Sequence, residues 1–172
     1  MFQINTCFDD QTVLLEYLRN DYKCAFVLDD VRYFSVEQYL LYQYALIMGD
    51  EKACQEILET KIPKKLSKID VKTKEERWYL WAVQRQEFLL KATLAKFKKD
   101  IHLFSMLCSV RGEIVYISKD NFMGIGMEIK DNVVPPKKEW LGENMLGYTL
   151  MYVRKKLQEE RKALAEADTK EQ

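Results

Sequence analysis

A single histidine, His102, stands in a chain of 172 residues. A Ser-His-Asp triad therefore has one position to be built on. His102 lies in the apolar stretch DIHLFSMLC, where a structural role is expected. The four cysteines, Cys7, Cys24, Cys54 and Cys108, are far apart, and none belongs to a CxxC pair. One histidine and scattered thiols do not make the usual ligand sets of zinc, so neither a metal nor a cofactor is expected. Free thiols kept reduced are the simpler reading, and they suit a cytoplasmic protein. Charge is also missing in one sense: 27 Lys and Arg balance 27 Asp and Glu, so no overall field attracts nucleic acid. No apolar run approaches the ~20 residues that span a bilayer. The first residues, MFQINTCFDD, lack the basic segment and apolar core of a secretion signal. No membrane association is expected, and nothing in the sequence sets an oligomeric state.

What remains is an ordinary globular composition, 48% apolar, in a length that fits one domain. That domain is expected over residues 1–160. Residues 161–172 turn polar and alanine-rich and are expected to be a frayed helix or a disordered tail.

The stretch FSVEQYLLYQYALIMGD, residues 34–50, carries strong local grammar. Ser35 and Gln38 form a capping box, Phe34 can staple onto Tyr39, and Gly49 ends the helix. Glu37 then falls in the first turn, with Leu40, Leu41 and Tyr44 on its own face. A carboxylate there complements the helix dipole but opposes burial, and on position alone a solvent-reaching first-turn glutamate is the simpler account.

Elsewhere, FQINTCF reads as a short strand, and CAFVLDDVRYF as a hairpin turning at Asp29 and Asp30. Residues 51–60 form a helix burying Ala53, Ile57 and Leu58. KIPKKLSKIDVKTK reads as a basic loop, solvated or able to hold phosphate. Thr73 and Glu76 predict a capping box opening a long helix to about Lys98, with Trp81, Phe88, Leu89 and Ala92 on its apolar face. Asp100 caps a short helix ending near Cys108, and EIVYI is a strand. NFMGIGMEI is a glycine-bearing turn, and VVPPKK breaks structure. A last helix from about Glu143 has the stripe Leu146, Leu150, Val153 and Leu157. The class is α+β, predominantly helical, with an N-terminal β-hairpin and a few short strands.

Five of these stretches also make a pattern in order. SVEQY opens the first helix and MGD closes it. Trp81 precedes the Lys96-Phe97 pair by fifteen residues. DNFMGIG carries Asp120, Gly124 and Gly126. WLGENMLGYTLMYVR carries Trp140, Gly142, Asn144, Leu146 and Gly147 before Met151, Val153 and Arg154. LRNDY supplies Asn20 and Tyr22. Together, over about residues 18–157, they resemble the NADAR family, the YbiA-like group.

The resemblance implies a single NADAR-like domain and an N-glycosidase. Such enzymes act on phosphoribosylamino intermediates of riboflavin synthesis, or on ADP-ribose attached to guanine in nucleic acid. The implied partners are therefore an ADP-ribosyl or phosphoribosyl substrate, with ADP-ribosylated nucleic acid as the macromolecular case. The implied catalytic residues are Glu37, Asp120 and Trp81. Substrate binding is carried over to Asn20, Tyr22, Tyr44, Lys96, Gly124, Gly126 and Asn144.

The chemistry suits these side chains. Breaking a ribose C1′–N bond builds positive charge on the sugar ring. One carboxylate stabilises that charge, and a second group orients or deprotonates water. Glu37 is assigned to charge stabilisation and Asp120 to water or ribose orientation, the two roles being exchangeable, and both acids are expected on one pocket. Trp81 offers a stacking surface or a core plug, and Lys96 a ligand or an exposed helix lysine. Asn20 is a ligand or a turn residue; the glycines permit close approach or a tight turn.

Several positions depart from the family pattern. Tyr44 stands where a lysine is usual, Met123 where tryptophan is usual, and Tyr116 where glutamate is expected. Val110-Arg111 replaces Thr-Gly, Ser67-Lys68 replaces Gly-Arg, and Arg19 and Asp21 are substitutions in the first motif. A non-catalytic ADP-ribose-binding module, or an interaction protein on the same fold, is the alternative.

Overall fold

A computed structural model describes residues 5–9, 12–129 and 133–170. Along the chain lie β1 (Asn5–Phe8), β2 (Phe26–Leu28), β3 (Val31–Tyr33), α1 (Val36–Met48), α2 (Glu51–Glu59), α3 (Pro63–Leu66), α4 (Trp78–Lys99), α5 (Ile101–Ser109), β4 (Glu113–Tyr116) and α6 (Met145–Lys170). The expected class holds: mostly helix, with short strands. Residues 2–4 of the first expected strand, and the last two residues of the tail, lie outside the described residues. Contacts divide the chain into two units, Leu18–Lys99 and Met1–Tyr17 with Asp100–Gln172.

In the unit Leu18–Lys99, β2 and β3 pair antiparallel, with Phe26 opposite Tyr33 and Leu28 opposite Val31. Asp29 and Asp30 turn the hairpin with φ of 51° and 61°. Two successive left-handed residues make the turn whose twist matches a two-residue hairpin, and aspartate tolerates them.

Helix α1 starts as its sequence predicts. The Ser35 hydroxyl accepts from the Gln38 N–H at 3.1 Å, and the Gln38 carbonyl oxygen accepts from the Phe34 N–H at 2.7 Å. Gln38 is fully buried, and its amide nitrogen donates to the carbonyls of Ile57 (2.7 Å) and Thr60 (2.8 Å). One side chain thus caps α1 and ties down the end of α2. Gly49 ends α1 at φ 71°. The Asp50 carboxylate caps α2 through the Ala53 N–H and also accepts from Lys72 N–H, which holds its pKa below the usual carboxylate value.

Ala45 and Met48 of α1 pack with Ala53 and Ile57 of α2, Leu66 of α3 and Val71. The basic stretch is therefore more than a loop: Pro63 starts a short helix, where its missing N–H does no harm. The Thr73/Glu76 capping box does not form. A 3-10 turn, Glu75–Arg77, leads into α4, and Lys74 at its cap makes no side-chain cap bond. The Thr73 hydroxyl lies 2.5 Å from the Tyr44 hydroxyl instead. Arg77 reaches back to donate to the Ile47 carbonyl at 3.0 Å, a cation at the negative end of α1.

In the other unit, β1 and β4 run parallel, and the Phe8 and Tyr116 rings stack at 4.9 Å. The Asp100 carboxylate caps α5 through the N–H groups of His102 and Leu103. His102 itself is exposed. The α6 stripe is buried as its spacing predicts: Leu146, Leu150, Val153 and Leu157 are all core. The Arg154 guanidinium donates to the carbonyls of Val110 and Gly112. Helix α6 continues to Lys170, with residues 161–168 exposed. Among the described residues no helix is long and apolar enough to cross a membrane.

Candidate active site

Glu37 sits in the first turn of α1, half-buried. Its backbone N–H, one of the orphan donors of a helix start, donates to the Asn20 carbonyl at 2.9 Å. Asn20 and Tyr22 follow the 3-10 turn Val13–Leu18 in the chain. The expected ligands Asn20 and Tyr22 therefore lie in the segment that meets the start of α1. The positive end of the α1 dipole favours the charge of the Glu37 carboxylate, and partial burial opposes it.

Tyr44 follows Glu37 by seven residues on the same helix. Seven residues make almost two full turns, so the two share one face about 10 Å apart. Tyr44 meets Trp81 edge-on, ring centroids 5.3 Å apart at 65°. Trp81 in turn stacks on Phe88 at 6.1 Å and 24°, and Phe88 meets Tyr39 at 6.2 Å. Trp81 is half-buried and packs against the core around Ala45 and Met48. It thus packs between the Tyr44 ring and that core. Thr73, read from the sequence as a helix cap, belongs to this group through its contact with Tyr44. Twenty-nine positions separate the two, and nothing local in the sequence signals that contact.

Lys96 is 1% exposed, so it is not an exposed helix lysine. Its ammonium donates to the Arg19 carbonyl at 2.8 Å and lies over the rings of Tyr22 (5.3 Å) and Phe97 (5.2 Å). Burial pushes its pKa down to about 7. Asp21, whose charge favours the ammonium, is bound to the Arg19 guanidinium at 3.0 Å, whose charge opposes it. Arg19 and Asp21, read as departures from a motif, thus form an ion pair beside Lys96.

The remaining expected site residues belong to the other unit. The Asp120 side chain is exposed, and its Oδ1 accepts from the N–H groups of Phe122 (2.8 Å) and Met123 (2.7 Å). Those bonds hold the carboxylate in one orientation at the head of the glycine turn. Gly126 has φ 75°, and a side chain there would strike Gly142 and Leu141 backbone. At Gly124 a side chain would strike the Ser118 side chain and the Tyr116 carbonyl. Both glycines therefore serve a close approach between backbones. Asn144 is fully buried with φ 50°. Its amide accepts from the Tyr116 N–H at 2.9 Å and donates to the Ile114 carbonyl at 2.9 Å, pinning β4 to the start of α6.

A groove of about 550 Å³ lies between β2 and α4, lined by Val27, Leu28, Leu94, Ala95 and lysines including Lys91 and Lys98. None of the expected site residues lines it. Among the described residues no cluster of His, Cys, Asp and Glu is placed to hold a metal.

The chain resembles known proteins along most of its length. It is 30% identical to protein irg-1 of Caenorhabditis elegans over 125 residues, which are 70% of this chain and 59% of that protein. It therefore spans about three fifths of that relative. It is 25% identical over 129 residues to N-glycosidase R617 of Acanthamoeba polyphaga mimivirus, covering 74% of this chain and 76% of that one. The NMR structure of Escherichia coli YbiA superposes with a TM-score of 0.71 over 94% of this chain and 89% of the other, at 20% identity, a likeness of fold. The family model described as NADAR domain matches residues 7–158, and the chain belongs to that family.

Proposed function

We propose that this chain is an N-glycosidase that hydrolyses a ribose C1′–N bond. The carrying observation is the row along one face of α1: the half-buried residue Glu37 at the positive end of the helix, then Tyr44, then the Trp81 indole against it. The name of the mimivirus relative agrees with this activity. The substrate is ADP-ribosylated guanine in nucleic acid or a phosphoribosylamino intermediate of riboflavin synthesis.

Glycosidic cleavage gives the sugar oxocarbenium character. Glu37, partly shielded from water, stabilises that charge more strongly than a solvated acid would. The indole edge of Trp81 and the ring of Tyr44 offer apolar surface to a sugar or base. Asp120, its carboxylate fixed by two backbone N–H groups of its own unit, is proposed on the family resemblance alone as an acid that orients water or a ribose hydroxyl.

A substrate panel tests this. The protein is incubated with an ADP-ribosylated guanine oligonucleotide and, separately, with phosphoribosylamino pyrimidines, and released sugar is followed by mass spectrometry. Release from either class supports the activity and names the substrate. Binding without release supports a second reading, an ADP-ribose-binding module. Tyr44 in place of the lysine usual in the family favours that second reading.

A further inference from the structure

A lysine buried to 1% exposure is a rare placement, because the ammonium loses its hydration and must be compensated. At Lys96 the compensation is a carbonyl and two ring faces. An apolar side chain would fill the same space without that demand. The position therefore points to a task beyond packing.

That task is visible in what the ammonium holds. Its acceptor is the carbonyl of Arg19, and the next carbonyl, that of Asn20, accepts the backbone N–H of Glu37. Two consecutive carbonyls of one turn are thus fixed to two different helices, α4 and α1. Tyr22, two residues on, lays its ring toward the same ammonium. Nearby, Lys99 donates to the Ala25 carbonyl at 2.9 Å, so α4 grips this connecting segment at a second point.

We propose that Lys96 is a positioning residue: by holding the Arg19 carbonyl and the Tyr22 ring, it fixes the 19–22 turn against the first turn of α1 and so sets where Glu37, Asn20 and Tyr22 stand. Its functional half rests on the N-glycosidase proposal; its structural half does not. Around the amine stand Arg19 and Asp21, paired with each other, the Cys24 thiol and the Tyr22 ring. A drop in amine charge above neutral pH weakens the ring contacts while leaving one hydrogen bond to the carbonyl.

Lys96→Met and Lys96→Gln test this in the full chain, by hydrogen exchange of the Glu37 amide and by sugar release. Expected for Lys96→Met is a folded protein whose unfolding midpoint is not lowered. In it the Glu37 amide exchanges at least tenfold faster, and kcat falls at least tenfold with KM changed less than threefold. Lys96→Gln, which keeps a donor on a shorter stem, falls between it and the wild type. Unchanged Glu37 exchange in both variants overturns the proposal. So does a rate loss that only tracks loss of folded protein. If the wild type releases no sugar from any substrate, the N-glycosidase proposal fails, while exchange at Glu37 still decides the role of Lys96.

Discussion

The Tyr44 ring meets the Trp81 indole edge-on, centroids 5.3 Å apart, and the Tyr44 hydroxyl reaches Thr73 at 2.5 Å. Helix α1 thus presents an aromatic at the place where the family resemblance implies a lysine. The ring and the hydroxyl separate by substitution. Tyr44→Phe removes only the hydroxyl pair and is expected to lower stability by about 0.5–1.5 kcal/mol, with sugar release little changed. Trp81→Ala removes a packing residue and, on the proposed function, a surface offered to the substrate. A stability loss of about 2–4 kcal/mol is expected, with release falling on the order of tenfold or more in the protein that remains folded. Urea titration and initial rates check both.

Lys96 makes stability depend on pH with an unusual sign. Its folded pKa, about 7, lies below the ordinary 10.5, so between those values the unfolded chain binds a proton that the folded one does not. Stability from this group rises with pH through that window, and its destabilisation is full below about pH 7. A shift of this size corresponds to roughly 5 kcal/mol. Lys96→Met loses the bond to Arg19, at about 1–3 kcal/mol, so a net gain of about 2–4 kcal/mol is expected at pH 6. That gain shrinks toward pH 10. Denaturant midpoints for both proteins across pH 6–10 give the measurement; a gain that does not change with pH contradicts it.

Asn144 holds two backbone groups of β4 from a left-handed residue. Asn144→Ala leaves both groups without that partner and puts a β-carbon where φ is 50°. A loss of about 2–5 kcal/mol is expected, largely through β4 and the start of α6. Asn144→Gly keeps the backbone freedom and recovers part of it. Chemical denaturation of the three proteins gives the order wild type, Gly, Ala.

Local chemistry was legible in the sequence where local rules decide. The Ser35–Gln38 box, the Asp29–Asp30 turn, the Gly49 stop and the α6 stripe each depend on neighbours a few residues apart, and each forms. Thr73 has the same capping signature and does not cap, because a partner 29 positions away takes its hydroxyl. The burial of Lys96 was illegible for the same reason: its acceptor is 77 positions away. Glu37, Trp81 and Asp120 were selected by a resemblance to a family, not by periodicity. What the fold adds is that Glu37 and Tyr44 share a helix face and that Tyr44 touches Trp81.

The most direct measurement is sugar release by wild type and Glu37→Gln, compared on whichever ribosylated substrate the wild type turns over. Glutamine keeps the size and removes the charge. The expected result is a fall in kcat on the order of 10²–10³, with substrate still bound and the unfolding midpoint within a few degrees of wild type. Glu37→Gln turning over at the wild-type rate would contradict the account, since no negative charge at the head of α1 would then be meeting the ribose.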